Sequence, residues 1–303
     1  MCTMAIVHLR SFAKINLGLR VLGKRSDGYH DIWTIFQQVS LYDQVTLESD
    51  GGEITLVCHH QQVAAGKENL CWRAAAALQA ATGCKQGVRI TLRKRIPVGA
   101  GLGGGSSNAA VVLAGLNELW GTGLSEAELS ALAAGLGSDV PFFMVGGSAV
   151  GQGRGELLTP IDMPSDYWCV LAIPNVEIST RWAYSATKFD LTKRRKSVTF
   201  PCRGVELRDY LQWRELLGND FEEVVFAAHP ALAQVKAELY RQGGFYCSLS
   251  GSGSAVFGLF ARRDQAYRAC AALAARTTTT VVRPVQYGCR EVAEAVAQQL
   301  RTA

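Results

Sequence analysis

The sequence predicts an α+β protein of two domains. Its 303 residues are enough for about two domains of ordinary size. Alternating polar and apolar residues, which are typical of half-buried strands, dominate the first part of the chain. Over residues 255–285 a strand, a helix and a strand follow one another, which predicts an α/β sandwich in the second part. Residues 160–166 are rich in proline and aspartate and form the best candidate linker, so we expect domains at residues 1–160 and 166–303.

The composition favours a soluble globular protein. Apolar residues make up 48% of the chain and charged residues 19%, and the formal net charge is +5. This charge suits an anionic small molecule but is too weak to indicate a nucleic-acid partner. No apolar stretch approaches the ~20 residues that cross a bilayer, and the N-terminal apolar run is too short for a signal peptide. We therefore expect a cytoplasmic protein without a membrane partner, either a monomer or a weak homodimer.

Two further features of the composition concern cysteines and a polar segment. Nine cysteines are scattered without any C-x-x-C pair, which predicts reduced, mostly buried thiols rather than a zinc site or a disulfide framework. Residues 187–203 are polar and without a periodic pattern, so they predict a loop region. The basic run K-R-R-K at residues 193–196 lies within it and is expected to be solvated.

The first predicted strand, residues 11–22, brings two polar residues together. Its apolar residues lie at every second position, namely Ala13, Ile15, Leu17, Leu19 and Val21. The same period of two places Lys14 and Asn16 side by side on the other face. The dipeptide D-G at residues 27–28 then predicts a tight turn, with Tyr29 and His30 at its rim.

The next elements predict a continued sheet and a first helix. Residues 32–41 predict a second strand, and residues 45–48 and 53–58 predict a hairpin around the sequence S-D-G-G. Asn69 can cap a helix that extends to about residue 81. Residues 88–96 alternate charged and apolar side chains, which predicts a half-exposed, antiparallel strand.

The most distinctive stretch is P-V-G-A-G-L-G-G-G-S-S-N-A-A, which begins at Pro97. Its glycines allow free turning and a close approach to a ligand. Ser106, Ser107 and Asn108 are favoured N-cap residues, so we expect the following helix to begin among them. Backbone amides and the positive end of the helix dipole would then converge on one anion, which predicts a polyphosphate site. The alternative is a glycine-rich surface turn that binds nothing.

This loop does not match the common nucleotide-binding motifs. Gly99, Gly101 and Gly104 fit G-x-G-x-x-G, but the preceding strand alternates in polarity, whereas the first strand of a Rossmann unit is continuously apolar. No G-K-[ST] closes the loop as in a Walker A motif. Neither V-A-I-K nor H-R-D follows, as they would in a protein kinase.

Phosphoryl transfer to a hydroxyl needs donors to the phosphates, a metal ion, a cation and a base. Asp139 is the best candidate for the base because it lies at a helix boundary, directly before V-P. The helix that ends there opens with the capping box Ser125 to Glu128. The alternative for Asp139 is a helix cap or an Asx-turn. Lys14 is the candidate cation, and its alternative is an ordinary solvated lysine.

Four strings together resemble the GHMP kinases: S-F-A-K-I-N-L-G-L, R-S-D-G-Y-H, P-V-G-A-G-L-G-G-G-S-S and G-S-D-V-P-F-F. Their order and spacing match the family and span most of the first half. The second half resembles it more loosely, through P-N-V-E-I-S-T and S-L-S-G-S-G-S-A-V-F. The resemblance implies an N-terminal α/β sandwich with a glycine-rich phosphate loop and a C-terminal ferredoxin-like α/β sandwich.

Within the family, the strings resemble the branch that acts in non-mevalonate isoprenoid synthesis. ATP would then phosphorylate the 2-hydroxyl of 4-diphosphocytidyl-2-C-methyl-D-erythritol, a cytidine-diphosphate substrate. Asp139 would be the base and Lys14 its cationic partner, with Asn16 near the substrate. Tyr29 would stack on the cytosine, and His30 would hydrogen-bond to it.

The resemblance also implies an ATP site with Mg²⁺ bridging the phosphates. The residues expected to hold the phosphates are Pro97, Val98, Gly99, Ala100, Gly101, Leu102, Gly103, Gly104, Gly105, Ser106 and Ser107. Ser107 is the candidate metal ligand, although a helix cap explains it too. Asn69 and Lys94 correspond to positions near the ATP base, but a helix cap and a strand lysine explain them equally well.

Residues of the second half are implied with less detail. Thr180 and Tyr184 would line the cytidine side, and Tyr184 stands where relatives tend to carry phenylalanine. Residues 250–253 resemble the third family motif or form a simple tight turn. Two alternatives remain: another GHMP kinase, such as a homoserine or mevalonate kinase, or a sensor of this fold that has lost catalysis. The pair Tyr29 and His30 disfavours the first, and retention of Lys14 and Asp139 disfavours the second.

Overall fold

The computed structural model describes residues 5–187, 209 and 212–302. Within them, the first of two sheets has six strands: β1 (Ile6–Lys24), β2 (His30–Asp50), β3 (Ile54–Cys58), β4 (Gly87–Arg93), β5 (Ser148–Gln152) and β6 (Leu157–Pro160). Their order is β3-β4-β2-β5-β6, and β1 pairs with β2. The predicted loop at residues 187–203 lies outside the described residues except for Thr187, and its basic run lies wholly outside them.

Strands β1 and β2 form a long antiparallel hairpin that organises the first sheet. Lys14 pairs with Gln38 and Asn16 with Phe36, and the predicted turn joins the two strands. The predicted strand is confirmed as part of β1, and its apolar residues Ala13, Ile15 and Leu17 are fully buried. Lys14 and Asn16 on the other face are buried as well, so neither face of this stretch is exposed. The strand predicted at residues 32–41 is also confirmed, as part of the longer β2.

The predicted hairpin of residues 45–48 and 53–58 is wrong. Residues 45–48 belong to β2, and β3 pairs in parallel with β4, which lies between them. The reason is topological: helix α1 (Leu70–Thr82) follows β3 and provides the long crossover that a parallel pair requires. Strand β4 is antiparallel to β2, as predicted, and its side chains alternate between buried and exposed.

Helices α1, α2 (Gly104–Leu119), α3 (Glu126–Leu136) and α4 (Val140–Val145) pack on the first sheet. The Asn69 side chain accepts a hydrogen bond from the Cys71 amide, so the predicted cap of α1 is confirmed. Ser125 and Glu128 form the predicted capping box of α3. The predicted start of α2 among residues 106–108 is wrong: the helix begins at Gly104, with Gly103 as N-cap in the left-handed region. The glycines themselves supply the required backbone conformation, so no side-chain cap is needed.

Among the described residues, the second sheet has four antiparallel strands in the order Thr278–Val282, Trp168–Ile173, Val256–Phe260 and Tyr246–Leu249. In chain order they are β7 (Trp168–Ile173), β8 (Tyr246–Leu249), β9 (Val256–Phe260) and β10 (Thr278–Val282). The helices that the structure describes in this half are α5 (Thr180–Ala186), α6 (Trp213–Leu216), α7 (Glu222–Ala228), α8 (Pro230–Arg241) and α9 (Arg263–Leu273). The strand, helix and strand predicted over residues 255–285 are confirmed as β9, α9 and β10.

The two sheets share a core along β1. Ala13, Ile15 and Leu17 belong to one apolar cluster with Tyr246 and Phe257 of the second sheet. The side chains of β1 that flank these residues therefore lie at the junction of the two halves.

The last helix, α10 (Cys289–Thr302), returns to the first sheet and buries Cys289, Val292 and Val296 in the core that contains α2. Residues 161–166 have no regular structure, and the limits 1–160 and 166–303 stay a prediction. None of the helices in the described part of the chain has the length and apolar character needed to cross a lipid bilayer.

Candidate active site

The glycine loop, residues 97–103, connects β4 to α2 and has a backbone that only glycine adopts readily. Gly99, Gly101 and Gly103 have φ values of 72°, 76° and 69°. A Cβ on Gly101 would lie 2.2 Å from the Ser250 carbonyl oxygen, and one on Gly103 would lie 2.8 Å from Phe143 Cζ. The backbone conformation therefore favours glycine at all three positions, and the packing requires it at Gly101 and Gly103.

Backbone carbonyls of this loop are held by both halves of the protein. The Lys14 amide donates to the Leu102 oxygen at 3.0 Å, and the Ala255 amide donates to the Ala100 oxygen at 3.1 Å. The Ser250 hydroxyl donates to the Gly101 oxygen at 3.0 Å. Since three consecutive carbonyls are bonded to protein, the loop is fixed relative to β1 and to the second sheet. Residues 250–253 thus contact the loop, as expected if they are more than a simple turn.

A cavity of about 280 Å³ lies along the loop. Its lining includes loop residues from Pro97 onward, together with Asn69, Lys94 and Ser106. The structure therefore brings together nearly all residues that were expected to bind ATP. Ser107 is an exception: it lies in the first turn of α2, is 1% exposed, and accepts a hydrogen bond from the Ser11 hydroxyl at 2.8 Å.

Lys14 and Asp139 meet on the other side of the loop. Lys14 Nζ lies 3.4 Å from Asp139 Oδ2 and donates to Asn16 Oδ1 at 2.6 Å. A Cβ on Gly103 would lie 3.0 Å from Lys14 Cγ, so the pair is directly beside the loop. The Lys14 side chain is 5% exposed and that of Asp139 is 35% exposed, so solvent reaches the carboxylate but hardly reaches the ammonium group.

Asp139 occupies the N-cap position of α4, but its side chain makes no capping hydrogen bond. Pro141 lacks an amide hydrogen and follows within the first turn, which reduces the number of amides that need a cap. The carboxylate is therefore directed to Lys14 and to the cleft. The helix-cap alternative does not describe this residue in the structure.

Asn16 is held in place from both sides. Its amide nitrogen Nδ2 donates to Thr34 Oγ1 at 2.8 Å, and the Thr34 hydroxyl donates to the Gly18 carbonyl at 2.7 Å. Its backbone amide donates to Ser250 Oγ at 3.3 Å. The Asn16 side-chain oxygen is thereby presented to Lys14, and the period-two prediction that these two residues are neighbours is confirmed.

The Lys14–Asp139 pair lines a cleft of about 1030 Å³ that extends to an aromatic end. Tyr29, His30, Thr180 and Tyr184 all line this cleft. The His30 ring stacks on the Tyr184 ring at a centroid distance of 4.7 Å. Tyr29 is 55% exposed, so its ring is accessible. The structure thus collects every residue expected on the cytidine side into the cleft that contains the proposed base.

One residue of this end was missed in the sequence. The Arg154 guanidinium lies 5.2 Å from the centre of the Tyr29 ring and lines the same cleft. An arginine over an aromatic face is a favourable cation–π contact. The local string G-Q-G-R-G-E carries no signal for it, because the contact joins residues that are more than a hundred positions apart.

Burial controls the protonation of two rings in the cleft. Desolvation, and then the positive charge of Lys24, lowers the pKa of His30 below its usual value. Desolvation, and then the negative charge of Asp139, raises the pKa of Tyr184 to about 12. At neutral pH His30 is therefore uncharged and Tyr184 keeps its hydroxyl proton, so both are polar groups without a charge.

Both halves of the chain match known proteins. A family model described as GHMP kinases N terminal domain matches residues 69–147, and one described as GHMP kinases C terminal matches residues 203–277. A protein of Chlorobium limicola named 4-diphosphocytidyl-2-C-methyl-D-erythritol kinase is 46% identical over 269 residues, which cover 86% of this chain and 90% of that protein. The chain belongs to the GHMP kinase family. It is therefore an enzyme that uses ATP, and the resemblance found in the sequence is confirmed.

Other members of the GHMP kinase family extend the comparison. A protein of Geobacter metallireducens with the same name is 42% identical over 264 residues, 87% of this chain and 92% of its own. A crystal structure of 4-(cytidine 5'-diphospho)-2C-methyl-D-erythritol kinase superimposes with a TM-score of 0.77 at 36% identity and covers 91% of this chain and 98% of its own. The homoserine kinase of Cytophaga hutchinsonii gives the same TM-score at 18% identity, with 95% and 98% covered, and this likeness shows the fold alone. The predicted two-domain GHMP kinase fold is confirmed.

Proposed function

We propose that this GHMP kinase transfers the γ-phosphoryl group of ATP to the 2-hydroxyl of 4-diphosphocytidyl-2-C-methyl-D-erythritol. The observation that carries the proposal is the placement of the Lys14–Asp139 pair between the glycine loop and the aromatic end of the cleft. An acceptor whose base lies at the aromatic end could present its alcohol to Asp139. The names of the relatives, which are 40–46% identical, support the same acceptor.

Asp139 acts as the general base in this proposal. Its carboxylate accepts the proton of the acceptor hydroxyl as the oxygen attacks the γ-phosphorus of ATP, and a base of this kind accelerates a reaction about 10²–10⁴-fold. Because Asp139 makes no capping bond and is partly exposed, its oxygen atoms are accessible to an acceptor.

Lys14 stabilises the negative charge that develops on the acceptor and on the transferred group. Its ammonium group is almost fully buried, so its field is weakly screened by water. The bond from Nζ to Asn16 fixes the direction of the lysine before any substrate binds. This preorganisation means that little rearrangement is needed during the reaction.

The glycine loop and the first turn of α2 hold the phosphates of ATP. The amides of a helix N-terminus and its dipole favour anions, and the glycines let phosphate oxygens approach the backbone. Asn69 and Lys94 line the adjoining cavity, where they would contact the nucleotide.

The aromatic end would select the cytidine group. Tyr29 offers an exposed ring for stacking, which contributes about 1–3 kcal/mol per base. Neutral His30 carries one donor and one acceptor nitrogen, as does the edge of cytosine. Thr180 is held by a hydrogen bond with Ser252 at 2.9 Å, and Tyr184 closes the wall behind His30.

The donor set is compatible with a magnesium ion that is held mainly by the nucleotide. Within the described residues there is no group of three His, Cys, Asp or Glu side chains that could hold a metal without substrate. Nucleotide-bound Mg²⁺ takes most of its ligands from phosphate oxygens and water. Ser107 is the protein ligand proposed from the sequence, but its side chain is buried, accepts a hydrogen bond from Ser11 and lines neither cavity in this structure. When bound, the ion neutralises charge on the phosphates.

An acceptor assay tests the proposal. ADP release should be measured with 4-diphosphocytidyl-2-C-methyl-D-erythritol, mevalonate and homoserine at equal concentration. We expect turnover with the cytidyl compound and none above background with the other two. Turnover of mevalonate or homoserine in preference to the cytidyl compound would refute the acceptor, and ATP binding without turnover of any acceptor would favour the sensor alternative.

A further inference from the structure

A fully buried carboxylate, Asp43 of β2, lies beneath the glycine loop and takes no part in the reaction described above. Asp43 is 0% exposed, and both of its oxygen atoms accept hydrogen bonds. Oδ1 accepts the amides of Arg95 at 2.6 Å and Ile96 at 2.8 Å. Oδ2 accepts the ammonium group of Lys94 and the side-chain amide of Asn108 at 3.0 Å.

These four donors come from both flanks of the glycine loop. Residues 94–96 enter the loop, and Asn108 lies in the first turns of α2, which leaves it. One side chain therefore sets the separation between the two ends of the predicted phosphate site. Lys94 Nζ also donates to Asn108 Oδ1 at 2.8 Å, so the two flanks are joined directly as well.

The network continues to the residue predicted to bind the metal. Asn108 Nδ2 donates to the Ser11 hydroxyl at 2.8 Å, and the Ser11 hydroxyl donates to Ser107 Oγ at 2.8 Å. Every polar hydrogen of the Asn108 amide group is thereby used, which fixes the orientation of this side chain. Buried networks of this kind are rigid when they are fully satisfied.

We infer that Asp43 is a positioning residue for ATP, which acts by holding the two flanks of the glycine loop and the Lys94 ammonium group in their binding geometry. The inference rests on the proposed location of ATP at this loop. Buried charge supports it: removing a carboxylate from water is costly, and here the cost is offset by a lysine and by backbone amides that belong to the loop flanks. Lys94 and Asn108 both line the loop cavity, whereas Lys14 and Asn16 line the cleft beyond it.

The substitution Asp43→Asn tests this role sharply. An asparagine keeps the size of the side chain but replaces one oxygen with an NH₂ group. Each Asp43 oxygen accepts hydrogen bonds from two donors. In either orientation of the asparagine, its NH₂ group therefore faces two donors and can accept from neither of them. We expect the KM and the dissociation constant for ATP to rise at least about tenfold, with the KM for the acceptor unchanged within about twofold.

Glu222→Gln is a matched control in the second half of the protein. Glu222 also bonds a lysine, Lys236, at 2.6 Å, a hydroxyl, Ser248, at 2.8 Å, and a backbone amide, Leu249, at 3.0 Å. Its loss should lower thermal stability without a specific change in the KM for ATP. If Asp43→Asn raises the KM for ATP and the KM for the acceptor in the same ratio as Glu222→Gln does, Asp43 has only a general structural role and the inference is overturned.

Direct ATP binding, measured by calorimetry on the purified chain, separates this inference from the proposed function. If the unmodified protein binds no ATP, the proposed function fails. If it binds ATP and the folded Asp43→Asn protein binds equally well, only the inference about Asp43 fails. If Asp43→Asn does not fold, Ser11→Ala provides a second test, because it removes the hydroxyl that links Asn108 to Ser107. This variant should weaken ATP binding by about threefold, and unchanged binding would overturn the inference.

Discussion

Replacement of Asp139 by asparagine is expected to abolish turnover and to leave ATP binding nearly intact. Asparagine has the same shape but is not a base, so the contribution of the proposed general base would be lost. That contribution is about 10²–10⁴-fold, which corresponds to roughly 3–5 kcal/mol of transition-state stabilisation. ATP binding should persist because Asp139 lines the larger cleft with Lys14, which we propose for the acceptor, and does not line the loop cavity proposed for ATP.

The fold should tolerate this substitution. Asp139 makes no capping hydrogen bond and its side chain is 35% exposed, so loss of the ion pair should cost less than the ~3–5 kcal/mol for breaking a fully buried pair. Lys14 keeps its hydrogen bond to Asn16, so its buried ammonium group retains one polar partner. The melting temperature should therefore change little.

Three measurements check the prediction: kcat from ADP release, ATP affinity from calorimetry, and the melting temperature. Asp50→Asn is a suitable control, because Asp50 is an exposed aspartate at the far end of β2 whose side chain accepts a hydrogen bond from the neighbouring Gly51 amide. The reasoning would be refuted by a kcat within about tenfold of the unmodified enzyme. Equal losses of ATP affinity and turnover would also refute it, since they would assign Asp139 a structural role.

Three further predictions concern the cleft and the loop. Tyr29→Ala should raise the KM for the cytidyl acceptor about 5–150-fold, because stacking on a base contributes roughly 1–3 kcal/mol, and should leave the KM for ATP unchanged in steady-state assays. Gly101→Ala should weaken ATP binding and lower the melting temperature, because its Cβ would lie 2.2 Å from the Ser250 oxygen at a φ of 76°. The free energy of unfolding should fall as the pH drops from about 6.5 through the lowered pKa of His30. In that range the unfolded chain binds a proton at His30 that the folded chain does not bind, and melting curves across the range measure the effect.

Each of these predictions has a matched control. Tyr267 is also exposed but belongs to α9, so Tyr267→Ala should change neither the KM for ATP nor the KM for the acceptor. If Tyr29→Ala leaves the KM for the acceptor unchanged, Tyr29 does not belong to the acceptor site. Gly121 has a φ of 62°, and a Cβ added there would meet no atom within 4 Å, so Gly121→Ala measures the effect of backbone strain alone. If Gly101→Ala lowers the melting temperature no more than Gly121→Ala does, the packing argument is wrong. His30→Gln should flatten the pH dependence, and an identical pH profile in that variant would assign the effect to other groups.

The local patterns were sufficient to predict most elements and part of the site. A period of two placed Lys14 beside Asn16, and the structure joins them by a hydrogen bond. Capping chemistry predicted the starts of α1 and α3, because these caps join residues only two or three positions apart. These features depend on short separations, which is why a single sequence reveals them.

The wrong hairpin and the missed residue Asp43 both involve contacts between residues that are far apart in the sequence. The predicted hairpin was wrong because β4, which follows β3 by a crossover helix, inserts between β3 and β2. Asp43 was missed because its four donors lie 51 to 65 positions away. The strand around it also carries several other polar residues, so nothing in the sequence marks this aspartate as buried. The one local hint is that an aspartate on a predicted strand is uncommon.

The burial of Lys14 depends both on its position in the strand, which the sequence predicts, and on a distant contact with Gly103, which the sequence does not predict. The sequence placed Lys14 on the polar face of a strand, where a lysine is ordinarily solvated, yet the side chain is 5% exposed. The glycine loop and α4 cover this face, and they can do so because Gly103 has no side chain where a Cβ would meet Lys14 Cγ at 3.0 Å and Phe143 at 2.8 Å. The glycine at the proposed phosphate site is therefore also the residue that lets the loop bury the lysine. Any substitution of Gly103 should disturb both the proposed phosphate site and the Lys14–Asp139 pair, so the effects of such a variant on ATP and on the acceptor would not separate.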